Sequence, residues 1–590
     1  MAIRPLTAFA LAAAWTLVAP LAAPAAGGDA FPPPRHVPNV FGEGLLMAYS
    51  GLDGETHVEP PVVATLAGEG LTLQFHLEGE PALELVLPKK YRLSWRAVTG
   101  DLLLADVAGD ELPLVVAFAS WNLVVGRLPP GSLAGLRGSG PNTVIMRDRA
   151  GDRIRFAFAC NPLGPRQAAR DAAQGLKVSL ETLVESRLRF FAEAPHGHDN
   201  LAPERTRTLA KAFSVMRVNT YAPEPPIAVH WTTPSRWPER LQNPWASALH
   251  AIGLVHLDPA LAKEELAAVY ATATSEGLIP GRSGPATSEE TARPPMLARA
   301  AWTVYRHERM RDREFLRASY TAVAKQMEWF MRNRRLGGPP PPEKPLTFGV
   351  PLYAWASAEE AATPGSPRFA DGAEFAAVDL STFVAAECEV LQRMAQALGY
   401  GVSARTWGRR AEAVAQAIRD HLWDPDSGFF FDRTAPDGEW IRVWSWAGLA
   451  PLAFGVADDA QAARLEEHLT SDRFRAAAGV ATLGSNETAA NGKSWTGGAW
   501  MPLNYLLVRG LQARGRTQAA HDLAERTLDA VTRRYMEAGT LDEFYPGASA
   551  GAGASADIFG GGSTSGNDGG ASDYFPTAAV FADLVLRPEP

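Results

Sequence analysis

The chain has 590 residues, 46% of them hydrophobic, and is too long for a single ordinary globular core. Its formal net charge of −9, without a block of basic residues, argues against nucleic acid or an anionic membrane as a partner and favours a neutral ligand. Only Cys160 and Cys388 are present, which excludes a disulfide framework, so we expect packing to stabilise the fold.

The N-terminus has the pattern of an export signal. Arg4 precedes an apolar run over residues 6–21, and residues 23–25 (APA) fit a signal-peptidase site. We predict a signal peptide over residues 1–25 and a periplasmic or secreted protein, the alternative being an uncleaved N-terminal anchor. No later apolar stretch reaches roughly 20 residues, so we expect no membrane contact after cleavage.

Residues 30–165 alternate apolar and polar side chains with a period of two, as in residues 71–77 and 153–158. Turn residues separate these segments, which predicts an antiparallel β-sandwich domain. Residues 166–200 then show apolar residues at helical spacing, and we interpret them as a helical linker.

From residue 201 to 590 the apolar period becomes 3.6. Twelve helices in six hairpins would build an α-helical (α/α)6 toroid, although an irregular helical array gives the same pattern. Residues 336–375 and 547–572 are too long for turns, and the second is either a lid or a disordered insertion, with composition favouring disorder. The twelve predicted helices lie near residues 205–220, 246–256, 259–276, 294–308, 312–334, 376–399, 403–422, 443–454, 458–470, 498–514, 516–537 and 577–587.

Two motifs near the C-terminus carry the strongest functional signal. Residues 494–500 (SWTGGAW) place two tryptophans around a Gly-Gly turn, and indole rings are flat apolar surfaces on which sugars stack. Residues 541–546 (LDEFYP) set a carboxylate among aromatic neighbours, where desolvation suits a proton acceptor. Together the motifs indicate a carbohydrate site whose ligand is a saccharide.

Eight segments, in this order, resemble the catalytic domain of glycoside hydrolase family 63 and the related mannosylglycerate-hydrolase-like and trehalase-like enzymes. A single motif would be weak, but the ordered series from about residue 200 to 588 is specific. The segments are residues 232–238 (TTPSRWP), 245–253 (WASALHAIG), 277–280 (GLIP), 293–298 (RPPMLA), 366–369 (SPRF), 378–381 (VDLS), 495–511 and 543–545 (EFY).

The resemblance implies an (α/α)6 barrel behind an N-terminal β-sandwich, and an inverting hydrolase that uses two carboxylates. Glu543 falls on the family's general base. The general acid is an aspartate in a segment like ESGxDNSPR, whereas residues 360–368 read EAATPGSPR, with Pro364 at the position of the acid. Proline cannot donate a proton. Residues 245–247, 293–295, 495–498 and 575–577 also depart from the family's pocket motifs.

Glu360 is our candidate for a substitute acid, because it aligns with the family's glutamate and adjoins Glu359, and neighbouring carboxylates raise one another's pKa. The pair would otherwise be a solvated acidic turn. Glu289 and Glu290 in the loop before residues 293–295 are an alternative source of the acid, although Ser-Glu-Glu-Thr there also fits a helix cap.

Six further side chains are candidate substrate contacts. The tryptophans are either stacking surfaces or core residues, and the histidine is either a ligand contact or a buried core histidine. The candidates are Trp245, His250, Arg368, Trp495, Trp500 and Tyr545.

The histidines show no metal-binding spacing, and no glycine-rich loop follows a strand, so we expect neither a metal nor a cofactor. We predict a glycoside hydrolase that cleaves an O-glycosidic bond with inversion, with Glu543 as base. Two alternatives are a carbohydrate-binding pseudoenzyme that has lost its general acid, and a polysaccharide lyase on the same barrel with Tyr545 or a histidine as base. The sequence gives no signal for an oligomeric state.

Overall fold

The computed structural model describes most of the chain. The predicted signal peptide and all but the last three residues of the segment 547–572 lie outside the described residues. The residues that the structure describes are 45–56, 62–67, 70–75, 81–87, 91, 93–108, 113–129, 135–150, 153–236, 240–338, 349–490, 495–546 and 570–587.

The chain divides into two compact units. The first comprises Met1–Pro223, Ser235–Glu239 and Thr532–Leu541. The second comprises Glu224–Pro234, Arg240–Val531 and Asp542–Pro590.

Two antiparallel sheets form most of the first unit. One has the order β1-β2-β3-β4-β9 and the other β10-β11-β8-β7-β6-β5. The strands are β1 Leu45–Met47, β2 Val62–Ala67, β3 Gly70–Phe75, β4 Ala82–Val86, β5 Leu93–Thr99, β6 Leu102–Val107, β7 Leu114–Ser120, β8 Leu123–Leu128, β9 Leu136–Ser139, β10 Thr143–Ala150 and β11 Arg153–Cys160.

Alternation along the strands explains how the sheets bury their side chains. In β4, Leu83 and Leu85 are buried while Glu84 is exposed, as a half-buried strand requires. Side chains of both sheets meet in one hydrophobic core, where the ring centroids of Phe75 in β3 and Phe158 in β11 lie 5.5 Å apart. The strand predicted at residues 71–77 is confirmed as far as Phe75, its last two residues lying outside the described ones, and the strand predicted at 153–158 lies within β11.

Residues 166–200 form two helices, α1 Pro165–Gly175 and α2 Leu180–Glu193. Helix α1 buries Ala168 and Ala172 against strands β8 and β11. Ser179 begins α2 by accepting a hydrogen bond from the backbone of Thr182. The third helix of this unit, α3 Pro203–Val218, is almost wholly buried.

The second unit is mainly helical, and none of the helices in the described part of the chain is long and apolar enough to cross a bilayer. Its helices are α4 Pro244–Leu257, α5 Pro259–Tyr270, α6 Leu297–His307, α7 Arg313–Asn333, α8 Val378–Leu398, α9 Gly401–His421, α10 Ala450–Ala453, α11 Asp459–Thr470, α12 Met501–Ala513, α13 Thr517–Ala538, whose last residues belong to the first unit, and α14 Phe575–Leu586.

The helices of the second unit differ in how much of their surface is buried. Helices α4, α8, α12 and α14 bury most of their residues, whereas α5, α7, α9 and α11 bury a single face, and α6 buries six of its eleven residues. Helix α4 contacts α5, α6 and α14, and α12 contacts α14. We call α4, α8, α12 and α14 the inner helices, and Trp245, Asp379, Trp500 and Phe575 lie at their N-terminal ends.

The helix predicted over residues 443–454 does not form as one continuous α-helix, unlike the other helices predicted in this unit. A 3-10 turn covers Trp446–Leu449 and α10 has only four residues. The preceding backbone is bonded elsewhere, because Trp446 N donates to Thr482 O and Ser445 pairs with Leu483.

Four short two-stranded pairings lie within the described part of the second unit. They are β14 Trp423–Asp424 with β15 Phe429–Phe430, β16 Asp432–Arg433 with β17 Trp440–Ile441, β18 Arg475–Ala476 with β19 Gly479–Val480, and β20 Ala499–Trp500 with β21 Phe544–Tyr545. The first unit also contains the short strand β12 Thr220–Tyr221, and the second unit the short strand β13 Trp231–Thr232.

Candidate active site

The pairing of β20 with β21 brings the two C-terminal motifs together. Trp500 lies opposite Phe544 and Ala499 opposite Tyr545 in this antiparallel pair. Trp500 is also the residue that precedes helix α12, whose second residue is Pro502. Because the strand pair ends where an inner helix begins, Glu543 and both tryptophans of the first motif lie at the N-terminal end of that helix.

Three tryptophans form one wall. The rings of Trp245 and Trp500 are stacked, with centroids 6.2 Å apart and planes inclined by 22°. Trp495 crosses Trp500 at 5.3 Å and contacts the Phe544 ring at 4.7 Å. Trp245 and Trp500 are 5% and 2% exposed, whereas Trp495 is partly exposed. Only Trp495 therefore presents substantial surface to a ligand, and the other two support it from behind.

Glu543 is held by the segment that leads into helix α14. Its backbone N–H donates to Ala571 O at 2.9 Å, and its Oε2 accepts a hydrogen bond from Ala571 N at 3.0 Å. Tyr574 lies close enough for its side chain to lower the pKa of this carboxylate. A Cβ at Gly570 would lie 3.0 Å from the Glu543 Cβ, so the close approach needs glycine there.

Burial raises the pKa of Glu543, and the hydrogen bond from Ala571 and the side chain of Tyr574 offset part of that shift. A raised pKa makes the ionised carboxylate a better proton acceptor. Among the described residues, the groups that set this pKa include no second carboxylate.

Tyr545 follows Phe544 in strand β21, and its side chain is buried. Successive side chains of a strand point to opposite faces, and Phe544 faces Trp495. Tyr545 therefore lies on the face of β21 that is turned away from Trp495.

Glu360 belongs to a buried ion pair, which corrects our expectation of a substitute acid. Arg334 binds its carboxylate with two nitrogens, at 2.5 and 2.7 Å, and the backbone N–H groups of Ala292 and Ala356 donate to it at 2.9 and 3.2 Å. Burial alone would raise the pKa of Glu360, but these donors hold it below its ordinary value. A carboxyl kept ionised in this way is unsuited to donating a proton.

Arg368 is likewise enclosed, so it corrects the expectation of a substrate contact. Its guanidinium lies 2.5 Å from an Asp379 oxygen and 3.1 Å from an Asp432 oxygen, and its side chain is 0% exposed. The indole N–H of Trp355 donates to Asp379 at 3.0 Å. The cluster anchors the loop before Arg368 to the start of helix α8.

His250 is a buried core residue, the second of the two readings that its position allowed. Its Nδ1 lies 2.6 Å from Thr232 Oγ1 and 3.6 Å from Glu265 Oε1. Its ring stacks on Phe575 with centroids 3.9 Å apart and planes inclined by 15°. Burial lowers the pKa of His250, so the ring is neutral.

The loop that carries Pro364 lies against the tryptophan wall. A Cβ at Gly365 would lie 3.1 Å from the Trp495 Cβ, so the expected acid position is adjacent to this ring. Arg293 reaches the same loop by donating to the Glu359 carbonyl. Of the other carboxylates considered, Glu290 and the Glu359 side chain are exposed.

Tyr574 and Ala571 are the contacts that sequence reasoning missed. They follow Glu543 by about thirty residues, and the only sequence signal was the departure from the family at residues 575–577. No three His, Cys, Asp or Glu side chains of the described ranges are grouped so that they could hold a metal ion.

Comparisons with known proteins identify the family to which this chain belongs. Residues 239–560 match the model of the mannosylglycerate hydrolase MGH1-like glycoside hydrolase domain. A periplasmic trehalase of Pseudomonas aeruginosa is 36% identical over 140 residues, which are 24% of this chain and 25% of that one. A mannosylglycerate hydrolase of Rubrobacter radiotolerans is 29% identical over 202 residues, 33% and 40% of the two chains.

The matches span about a quarter and two fifths of these curated relatives. Among solved structures, the GH63 mannosylglycerate hydrolase of Thermus thermophilus in complex with glucose aligns with a TM-score of 0.50 at 18% identity, covering 63% of this chain and 98% of that one. At this identity the likeness concerns the fold alone.

Proposed function

Because this chain belongs to the family of MGH1-like glycoside hydrolase domains, we propose that it hydrolyses the O-glycosidic bond of a saccharide with inversion, with Glu543 as general base. Such a base must be ionised and must polarise a water molecule that attacks the anomeric carbon. The protein would be exported to the periplasm or beyond, as the predicted signal peptide over residues 1–25 indicates and as the similarity to a periplasmic trehalase of Pseudomonas aeruginosa favours.

One observation carries the proposal: Glu543 directly precedes Phe544, which pairs with Trp500 and contacts the Trp495 ring, and Ala571 N from the segment before α14 donates a hydrogen bond to its carboxylate. Burial raises its pKa, which suits a proton acceptor, and the partly exposed Trp495 offers a face on which a sugar ring can stack. The carboxylate and the stacking surface come from the paired strands β20 and β21 and the residues beside them.

For the architecture we propose a β-sandwich over residues 30–165, a helical linker over 166–200 and an (α/α)6 toroid over 201–590. Shared core residues of the two antiparallel sheets support the sandwich. The toroid is supported by the four inner helices, which lie along the chain among helices that bury a single face, and by the fold of the GH63 structure. Inner helices of such a toroid direct their N-terminal ends towards one funnel, which agrees with the position of Trp245, Trp500 and Phe575.

The general acid of this proposal comes from an exposed carboxylate near the wall. Glu360 is engaged by Arg334 and Glu289 by Arg282, so Glu359 and Glu290 are the remaining candidates of the two acidic loops. In an inverting hydrolase the two carboxyl groups stand about 6.5–9.5 Å apart, which leaves room for the water. Glu359 is preferred because its backbone is already bound to Arg293 beside the Trp495 loop.

The decisive experiment compares the wild type with Glu543→Gln. We expect the variant to lose turnover at least a thousandfold while saccharide binding by calorimetry persists, since the amide keeps the shape of the site. Glu537→Gln, an exposed change in helix α13, is the matched control and should behave as the wild type. Full turnover in Glu543→Gln would end the proposal. The panel includes trehalose, mannosylglycerate and aryl glycosides, and proton NMR reads the anomer released first.

Aryl glycosides also test the acid. A variant without its general acid should lose activity on substrates with poor leaving groups and retain it on dinitrophenyl glycosides, whose leaving group needs no proton. We expect this pattern for Glu359→Gln or Glu290→Gln.

A second candidate function is saccharide binding without hydrolysis. It is favoured by Pro364 at the expected acid position and by the lack of a second carboxylate among the described groups that set the pKa of Glu543. Binding of the panel without turnover by the wild type would select it.

A further inference from the structure

The segment 570–575 contacts Glu543 at several points. Ala571 exchanges two hydrogen bonds with it, one to the backbone and one to the carboxylate. Gly570 packs against both Glu543 and Phe544. Three residues after Ala571, Tyr574 places its ring near that of Trp500, and its side chain lowers the pKa of Glu543.

Tyr574 is itself fixed in place. It precedes the first residue of helix α14, and its carbonyl accepts a hydrogen bond from Ala578 N at 3.2 Å. Its ring lies 6.4 Å from that of Trp500, and the residue is only 7% exposed. A tyrosine held at a helix start and packed on the wall has little freedom to leave Glu543.

The next residue extends this support into the core. Phe575 N donates to Pro234 O at 2.8 Å, and the Phe575 ring stacks on His250 at 3.9 Å. His250 is held in turn by Thr232. A continuous series of contacts therefore runs from helix α4 through Phe575 and Tyr574 to Glu543.

We propose that Tyr574 is a positioning residue for Glu543, whose hydroxyl donates a hydrogen bond that holds the ionised carboxylate in one orientation. The inference rests on the proposed role of Glu543 as general base. Each inactive orientation that the tyrosine excludes would otherwise cost catalytic rate, because a base must lie within hydrogen-bond reach of its water.

The electrostatics agree with a phenol that donates. Burial and the neighbouring Glu543 charge raise the pKa of Tyr574 well above its ordinary value, so it keeps its proton wherever Glu543 titrates. The other charged group that acts on Tyr574 is Arg293, whose positive charge opposes that shift. A donor to a carboxylate favours the charged form, which lowers the pKa of Glu543 relative to burial alone.

The test follows the Glu543 carboxyl directly and needs no turnover. Protein labelled with 13C-carboxyl glutamate is titrated by infrared spectroscopy, and subtraction of the Glu543→Gln spectrum assigns the band. Tyr574→Phe should raise the pKa of Glu543 by about one unit, which is the worth of a hydrogen bond to a charged group. Tyr305→Phe, a buried tyrosine of helix α6, is the control and should leave it unchanged.

A second variant guards against a general structural effect. Trifluorotyrosine at position 574 keeps the ring and is a stronger donor, so it should shift the pKa of Glu543 downward, opposite to Tyr574→Phe. If the protein hydrolyses a saccharide, Tyr574→Phe should shift the acidic limb of the plot of kcat against pH to higher pH by the same shift of about one unit. It should also lower kcat about tenfold and change KM by less than about twofold.

A folded Tyr574→Phe protein with the wild-type pKa at Glu543, or fluorinated and phenylalanine variants that shift it in the same direction, would overturn the inference. If the opposite shifts appear but no saccharide is hydrolysed, the positioning contact stands and the proposed hydrolase activity falls.

Discussion

The indole rings of Trp245 and Trp500 lie nearly parallel, 6.2 Å apart, although 254 residues separate them along the chain. Phe383 of helix α8 meets Trp245 edge to face at 5.2 Å, so three inner helices contribute to the same aromatic contact. Because both indoles are almost fully buried, this pair stabilises the wall, and Trp495 is its more exposed member, for which we propose the contact with a ligand.

Trp500→Ala and Trp495→Ala should therefore fail in different ways. Removing the buried Trp500 leaves a large cavity and should lower the free energy of unfolding by about 3–5 kcal/mol, measured by urea denaturation. Trp495→Ala should cost much less stability but weaken saccharide binding about tenfold, measured by calorimetry, because a stacking face is lost. Equal effects of both changes on stability would contradict this division.

Glu360→Gln separates a structural from a catalytic role. Loss of the buried ion pair with Arg334 should lower the free energy of unfolding of the variant by about 2–4 kcal/mol at pH 7. The pKa of Glu360 is depressed in the folded state, so its contribution is present above the unfolded value of about 4.3 and disappears as pH falls through the folded value. The difference from the wild type should thus shrink between about pH 5 and 3 in urea titrations. If Glu360→Gln instead remained fully folded and lost turnover about a hundredfold, Glu360 would be the general acid after all.

Arg368→Ala should be among the most damaging substitutions in the second unit. It leaves Asp379 and Asp432 buried without their cation, which costs about 3–5 kcal/mol. Arg393→Ala removes an exposed partner of Glu389 and is the control, with an expected change below about 0.5 kcal/mol. Thermal unfolding of the two variants side by side measures the contrast, and similar melting temperatures would refute it.

His250 should make the protein less stable in mild acid. Its pKa is depressed in the folded state, so below about pH 6.5 the unfolded chain binds a proton that the folded protein does not. The free energy of unfolding should consequently fall by up to about 1.4 kcal/mol per pH unit from this group alone. His250→Gln should flatten the slope between pH 5 and 7, and His521→Gln, an exposed histidine of α13, should not.

Periodicity was sufficient to predict most helices of the second unit. The helix predicted at residues 376–399 runs over Val378–Leu398, and that predicted at 312–334 over Arg313–Asn333. Each has a long regular apolar face or is buried throughout. The segment 443–454 failed because its first part is bonded to residues 482–483, a contact that local spacing does not reveal.

Motifs predicted which residues come together at the site but not the direction of each side chain. His250 follows Trp245 by five residues, which on an α-helix is a rotation of about 140°, so the two point away from each other. Arg368 adjoins a family motif, yet its guanidinium turns towards Asp379. The contact of Tyr574 with Glu543 depends on the tertiary fold and had no local signal.

The residues that support Glu543 extend past the end of the family match. That match stops at residue 560, whereas Ala571, Tyr574 and Phe575 come later in the chain. A recombinant fragment trimmed to the matched boundaries would thus keep Glu543 but lose Ala571, which donates to its carboxylate, together with Tyr574 and helix α14. Expression of this domain should extend at least through Leu586, where helix α14 ends.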